Sequence, residues 1–176
     1  ESLKLQMAGF DSAFRAYMQF CLQGSDCPFS GDVDTALGQA RTVLETVDAQ
    51  GLVNSDGRVL DSATLGTAIA LNLYSEDYWP DMTQMFAELS TGDPTLAFVN
   101  ADYYNSRNAD GSYSSNSFEV YTAATCVDGD FADDPATTLD RLAEIDAAAP
   151  ILGKFFAYDD FAVLDTACSN WPVPRA

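Results

Sequence analysis

Histidine is absent from this chain of 176 residues. That removes the usual general base of nucleophilic catalysis, so neither a Ser-His-Asp triad nor a zinc–histidine site can be assembled from these residues alone. A Gly-x-Ser-x-Gly elbow, a phosphate loop and a dinucleotide fingerprint are missing as well. Catalysis by this chain alone is not expected, and neither a cofactor nor a metal is implied.

Positive charge is scarce: 8 Lys and Arg stand against 27 Asp and Glu, a formal charge of −19. Such a surface repels nucleic acid phosphates and anionic lipid heads, so no nucleic acid partner is expected. The acidity is open to two readings, attraction of a cationic substrate such as a peptide amino terminus, or a solvated surface. No apolar run approaches the 18 residues of a bilayer span, which argues against membrane insertion. The opening "ESLKLQMAGF" lacks the basic start and apolar centre of a signal peptide. Any export is expected to be directed by a segment outside this sequence.

What is present is a globular sequence, 47% apolar in amphipathic blocks. The length suits one unit, residues 1–176, with one core. In "LKLQMAGFDSAFRAYMQFC" the apolar positions Leu3, Met7, Phe10, Phe14, Tyr17, Met18 and Cys21 predict a helix ending near Gly24. Asp32 is placed to cap a second helix with the face Val33, Leu37, Ala40, Val43, Leu44 and Val47, stopped by Gly51 in a left-handed conformation. Asp56-Gly57 marks a hairpin or an exposed loop, and Asp61 caps a third helix that is apolar on most sides.

"EDYWPDMTQMFAEL" predicts a fourth helix with Pro80 near its start and Met82, Met85, Phe86 and Leu89 inward. Asp93 and Pro94 read as N-cap and first position of the next, on which Leu96, Val99 and Tyr103 share a face. "RNADGSYSSN" is a loop. "SFEVYTAATC" is ambiguous between helix and strand, and its helical surroundings favour helix. Asp134-Pro135 opens a further helix with Leu139, Leu142 and Ile145 inward, interrupted by Pro150, and the end of the chain reads as an extended tail. The fold class is all-α, a compact cluster of about six to eight helices with long loops.

Four cysteines, Cys21, Cys27, Cys126 and Cys168, lack paired metal spacing, and an even count points to disulfides and an oxidising compartment, extracellular or in the cell envelope. Three connectivities are open. The turn formers in "CLQGSDC" favour Cys21 with Cys27, which leaves Cys126 with Cys168. The acidic loop Asp128, Asp130, Asp133 and Asp134 lacks the alternating ligands and distal Glu of a calcium loop, and so does "NADGSY". At 12% aromatics, the chain has more rings than a small helical core requires. Some of them, from the corner at Tyr74, Tyr78 and Trp79 to Tyr103, Tyr104, Tyr113 and Trp171, are candidates for a ligand-binding wall.

"YSEDYWPDMTQMFAEL", "GDPTLAFVNADYY", "ADGSYSSN", "YTAATCVDG" and "CSNWPVP" together resemble the lid region of the secreted tripeptidyl aminopeptidase-like serine peptidases of the α/β-hydrolase superfamily. In that family a helical lid is inserted after the sixth core strand, downstream of the nucleophile elbow and ahead of the catalytic acid and histidine. The resemblance implies an excised lid domain, with the α/β-hydrolase core outside this sequence, that roofs the active site and selects peptides with a free amino terminus. No catalytic residue is carried over. It implies that "TCVD" and "CSNWP" are two halves of a lid disulfide, Cys126–Cys168, and that the corner at Tyr78 and Trp79 packs the lid helices or faces the cleft. Related aminopeptidases hold the substrate amine with acidic side chains, for which Glu119 and Asp128 are the candidates. An autonomous secreted helical binding module is the alternative.

Overall fold

The computed structural model describes residues 2–129, 131, 134–156 and 167–173. Local punctuation sets the elements. α1 (Ser2–Cys21) turns Met7, Phe14, Tyr17, Met18 and Cys21 inward at three- and four-residue steps. It stops at Cys21, where the Gly24 N–H bonds back to the Cys21 carbonyl at 2.9 Å and a Cys21–Cys27 disulfide reverses the chain.

α2 (Val33–Gln50) begins where the Asp32 carboxylate accepts the Thr35 N–H at 2.8 Å. It ends at Gly51, whose φ is 64° but whose ψ of 168° is extended, not the left-handed helical cap that the sequence predicts. A Cβ at Gly51 would lie 2.5 Å from Val59 Cγ1, so no side chain fits. β1 (Leu52–Val53) and β2 (Val59–Leu60) then pair antiparallel, Leu52 opposite Leu60, so the Asp56-Gly57 turn belongs to a hairpin. Among the described residues this is the one sheet.

α3 (Ser62–Leu73) is capped by Asp61, which accepts the Thr64 N–H at 2.8 Å, and buries Leu65, Ala68, Ile69 and Asn72. The expected fourth helix is divided. A 3-10 turn (Glu76–Tyr78) precedes α4 (Trp79–Ser90), because Pro80 has no N–H to donate and is accommodated only in a first helical turn. Met82, Met85, Phe86 and Leu89 are its buried face.

α5 (Thr95–Tyr104) starts one residue later than the sequence suggests: Pro94 occupies the cap position, and Asp93 accepts the Thr95 N–H at 2.9 Å. Its inner side is Ala97, Phe98, Asn100 and Ala101, so the face carrying Val99 and Tyr103 points to solvent. α6 (Ser117–Asp128) is a helix, not a strand. α7 (Pro135–Ala148) is capped by Asp134 and buries Leu142 and Ile145. Leu139, expected inward, is 62% exposed: α7 has α1 as its main helical neighbour, and Leu139 lies to one side of the Leu142–Ile145 stripe that meets it.

The architecture is all-α, with α1 at the centre against α2, α3, α4 and α7, and α3 packed most extensively on α5. Aromatic rings fill the middle: Phe14 lies 5.6 Å from Tyr17 and 5.9 Å from Phe86, and Phe29 lies 5.2 Å from Phe86. Each such buried side chain contributes about 1.5–3 kcal/mol relative to exposure. After α7, Asp11 of α1 accepts the N–H groups of Ile151 and Leu152 at 3.1 and 2.8 Å, fixing the helical turn at 153–156. Asp130 and Asp133 of the acidic loop, and residues 174–176 of the expected extended tail, lie outside the described residues. No helix among the described residues is long and apolar enough to cross a membrane.

Candidate functional site

Buried apolar side chains form two clusters, the main core and a satellite made of Cys126, Phe131 and Cys168 with Trp171 packed on it. α6 belongs to the satellite. Of its twelve residues Cys126 is the buried one, while Phe118, Val120 and Tyr121 are 69%, 56% and 54% exposed. At 100° per residue Val120, Tyr121 and Ala124 fall on the side opposite Cys126 and Phe118 on its flank, so α6 is apolar away from Cys126 as well. A helix apolar on both sides is ordinarily covered on both. Here one side is open.

The Cys126–Cys168 disulfide is what fastens α6, closing a loop with a sequence separation of 42, against 6 for Cys21–Cys27. In the chain-entropy account the long bridge contributes roughly 4 kcal/mol and the short one about 2 to 2.5.

Glu119 and Asp128 both sit on α6, in its first turn and at its last position, and both are exposed. Nine residues separate them, which is roughly 13 Å of rise and two and a half turns. They therefore face opposite sides, and the fold does not bring them to one ammonium. Trp79 packs inward, its ring 6.3 Å from Tyr17 and 5.4 Å from Phe20, with Nε1 buried and without a hydrogen-bond partner. Tyr78 beside it is 38% exposed. Tyr74 is 62% exposed and stacks on Tyr104 at 6.2 Å, with 13° between the planes. The aromatic corner thus divides into a packed half and an open half.

Sequence reasoning missed a second feature, a shallow cavity of about 420 Å³ between the hairpin, α5 and the loop that follows it. Arg58 donates from Nε to Asp56 at 2.7 Å and from Nη1 to Asp102 at 2.8 Å, while its guanidinium carbon lies 4.1 Å from the centre of the Phe98 ring. Hydrogen bonds to Asp102, and then to Asp56, raise the Arg58 pKa above its ordinary value. Arg107 reaches the other oxygen of Asp102 at 3.5 Å. The only hint in the sequence was that both arginines flank Asp-Gly turns; a 44-residue separation between Arg58 and Asp102 carries no local signal.

No family model matches this chain. It is 32% identical over 172 residues, 96% of its length, to carboxylesterase B of Mycobacterium tuberculosis and to a protein of Mycobacterium bovis named as a hydrolase. The match takes in 32% of each relative, so the chain spans about a third of the length of the curated relatives it matches. The chain is thus similar, along nearly all of its own length, to part of larger hydrolases.

Proposed function

We propose that this chain is the lid of a secreted α/β-hydrolase serine exopeptidase of the tripeptidyl or prolyl aminopeptidase type. In this reading residues 1–176 are one helical unit that roofs the active site of a hydrolase core on the same parent chain and selects peptides by their free amino terminus. The nucleophile, acid and histidine belong to that core. The observation that carries the reading is the open side of α6: Phe118, Val120 and Tyr121 are exposed on a helix whose one buried side chain is Cys126. Covering them against a body would contribute about 1.5–3 kcal/mol for each side chain fully buried. The larger relatives named as hydrolase and carboxylesterase support a body of that kind. Two disulfides support an oxidising location.

Within the lid, Asp128 is the better placed partner for the substrate ammonium, because at 100° per residue it falls on the side of α6 opposite Cys126, with Tyr121 and Ala124, and would be desolvated when that side is covered. Glu119, on the Cys126 side of the helix, would act separately or not at all. Tyr78 is available to the peptide, and Trp79 supports it from within. The name of the tuberculosis relative favours a second reading, in which the same lid covers an esterase site.

The test is hydrolysis by the parent protein of tripeptide p-nitroanilides, their amino-acetylated forms and p-nitrophenyl esters, with and without Asp128→Asn and Phe118→Asp. The exopeptidase reading expects cleavage of free-amine tripeptides and at least about tenfold loss of kcat/KM on Asp128→Asn for those alone. Cleavage of esters only moves the assignment to the second reading. Unchanged kinetics and unchanged thermal stability on Phe118→Asp would remove α6 as the docking helix.

A further inference from the structure

The cavity beside α5 gathers two of the chain's 8 cationic side chains in a molecule with 27 acids. Its hydrogen bonding is unequal. Asp56 accepts from the backbone N–H and Nε of Arg58 at 3.0 and 2.7 Å, and Asp110 accepts from the backbone N–H and hydroxyl of Ser112 at 3.0 and 2.6 Å. Asp102 spends one oxygen on Arg58 and the other on Arg107. The acceptors are in use.

The donors are not. Each guanidinium carries five N–H groups. Arg58 uses Nε and Nη1, Arg107 makes one long contact through Nη1, and neither Nη2 is hydrogen-bonded to a described residue. Both side chains stay partly open to solvent, at 29% and 24%. Because each guanidinium is tied to one oxygen of the same carboxylate, the two are held as neighbours on one wall.

We infer that this cavity binds a carboxylate, received by the free edges of Arg107 and Arg58. A carboxylate offers two acceptor oxygens in a plane, which guanidinium groups match. It would loosen only the 3.5 Å contact of Arg107 with Asp102 and leave the 2.8 Å contact of Arg58 intact. A metal cation would need acceptors, and no group of three acidic or cysteine side chains able to hold one occurs among the described residues.

The site is preorganised, which lowers the entropy cost of binding. Asn108 bonds the Ser112 carbonyl through its N–H at 2.7 Å and accepts the Ser114 hydroxyl at 2.8 Å, while the Ser114 N–H reaches the Ser106 carbonyl at 2.9 Å. Arg107 therefore leaves a loop closed on itself. The inference concerns this chain alone and does not depend on the lid reading.

The experiment titrates the chain at low salt with N-acetyl-glycyl-glycine, carrying a terminal carboxylate, with N-acetyl-aspartate α-amide, carrying a side-chain carboxylate, and with N-acetyl-glycyl-glycine amide, carrying none. Arginine Nε–H resonances are the readout. The expected result is saturable shifts at Arg58 and Arg107 with at least one carboxylate and none with the amide, while Arg15, in an exposed pair with Asp34, stays still. The tighter of the two carboxylates identifies the source. Arg107→Gln should weaken binding at least about tenfold with an unchanged far-UV spectrum. Equal shifts with the amide, equal movement at Arg15, unaltered binding by R107Q, or no shift with either carboxylate up to about 50 mM would each overturn the inference.

Discussion

The carboxylate of Asp11 receives the N–H of Leu152 at 2.8 Å, across 141 positions of sequence. It takes the Ile151 N–H as well, while Arg41 donates to the Pro150 carbonyl at 2.7 Å, so α1 and α2 together pin the segment leaving α7. Burial raises the Asp11 pKa above its ordinary value, although the two N–H groups and the nearby arginines pull the other way. For an acid whose folded pKa is raised, the stabilising contribution is complete below the ordinary value and is lost as pH rises through the folded one. Asp11→Asn should therefore be less destabilising at pH 7 than at pH 4. Asp11→Ala, which leaves two N–H groups without their acceptor, should cost about 1–3 kcal/mol at both. Urea melts of the three proteins at the two pH values check this, and a pH-independent difference for Asp11→Asn would refute the assignment.

Acid should act in the opposite sense through the helix caps. The Thr35 N–H lowers the pKa of Asp32, and the Thr137 hydroxyl and N–H lower that of Asp134. Lowered groups stabilise above their unfolded value, near pH 4, and lose that contribution as pH falls through the folded one. Asparagine caps helices comparably and does not titrate. The double variant Asp32→Asn with Asp134→Asn should therefore show a shallower fall of thermal midpoint between pH 4 and pH 2 than the unaltered chain.

Tyr17 is fully buried, and its hydroxyl partner among the described residues is Thr83 at 3.4 Å. Burial pushes its pKa up to about 12, the Thr83 contact opposing slightly. In an alkaline spectrophotometric titration, Tyr17→Phe should remove a step near pH 12. Its contribution to stability is present below pH 10 and lost towards 12, so alkaline unfolding should begin later in Tyr17→Phe.

Removing the long disulfide should release α6 without dissolving the main core. Cys126→Ser with Cys168→Ser is expected to bring α6 amides to near-free hydrogen exchange while α3 and α5 remain protected, because the satellite has few other buried side chains. Loss of protection throughout the chain would show that α6 supports the core directly.

The helices were legible where their signals are local. Asp32, Asp61 and Asp134 each precede a periodic apolar run, and each accepts an N–H three residues on, at 2.8, 2.8 and 2.9 Å. Facing was less legible, since which side of α5 turns inward depends on α3 and α4, and Val99 with Tyr103 looked as suitable as Ala97 with Phe98. Leu139 misled for the same reason. The Arg58–Asp102 ion pair joins two segments that are adjacent only after folding. For Glu119 and Asp128 the types suit an ammonium, but one helix holding both sets them on opposite sides.

The Asp11–Leu152 contact also has a bearing on synthesis. At roughly 5–20 residues per second, a ribosome needs between about 7 and 28 s to deliver Leu152 after Asp11. Through that interval one side of α1 has no α7 to lie against, although α2, α3 and α4, its other neighbours, are made sooner. The α7-facing side of α1 is thus the last to be covered during synthesis, which leaves that side open to a chaperone after the other helices have formed.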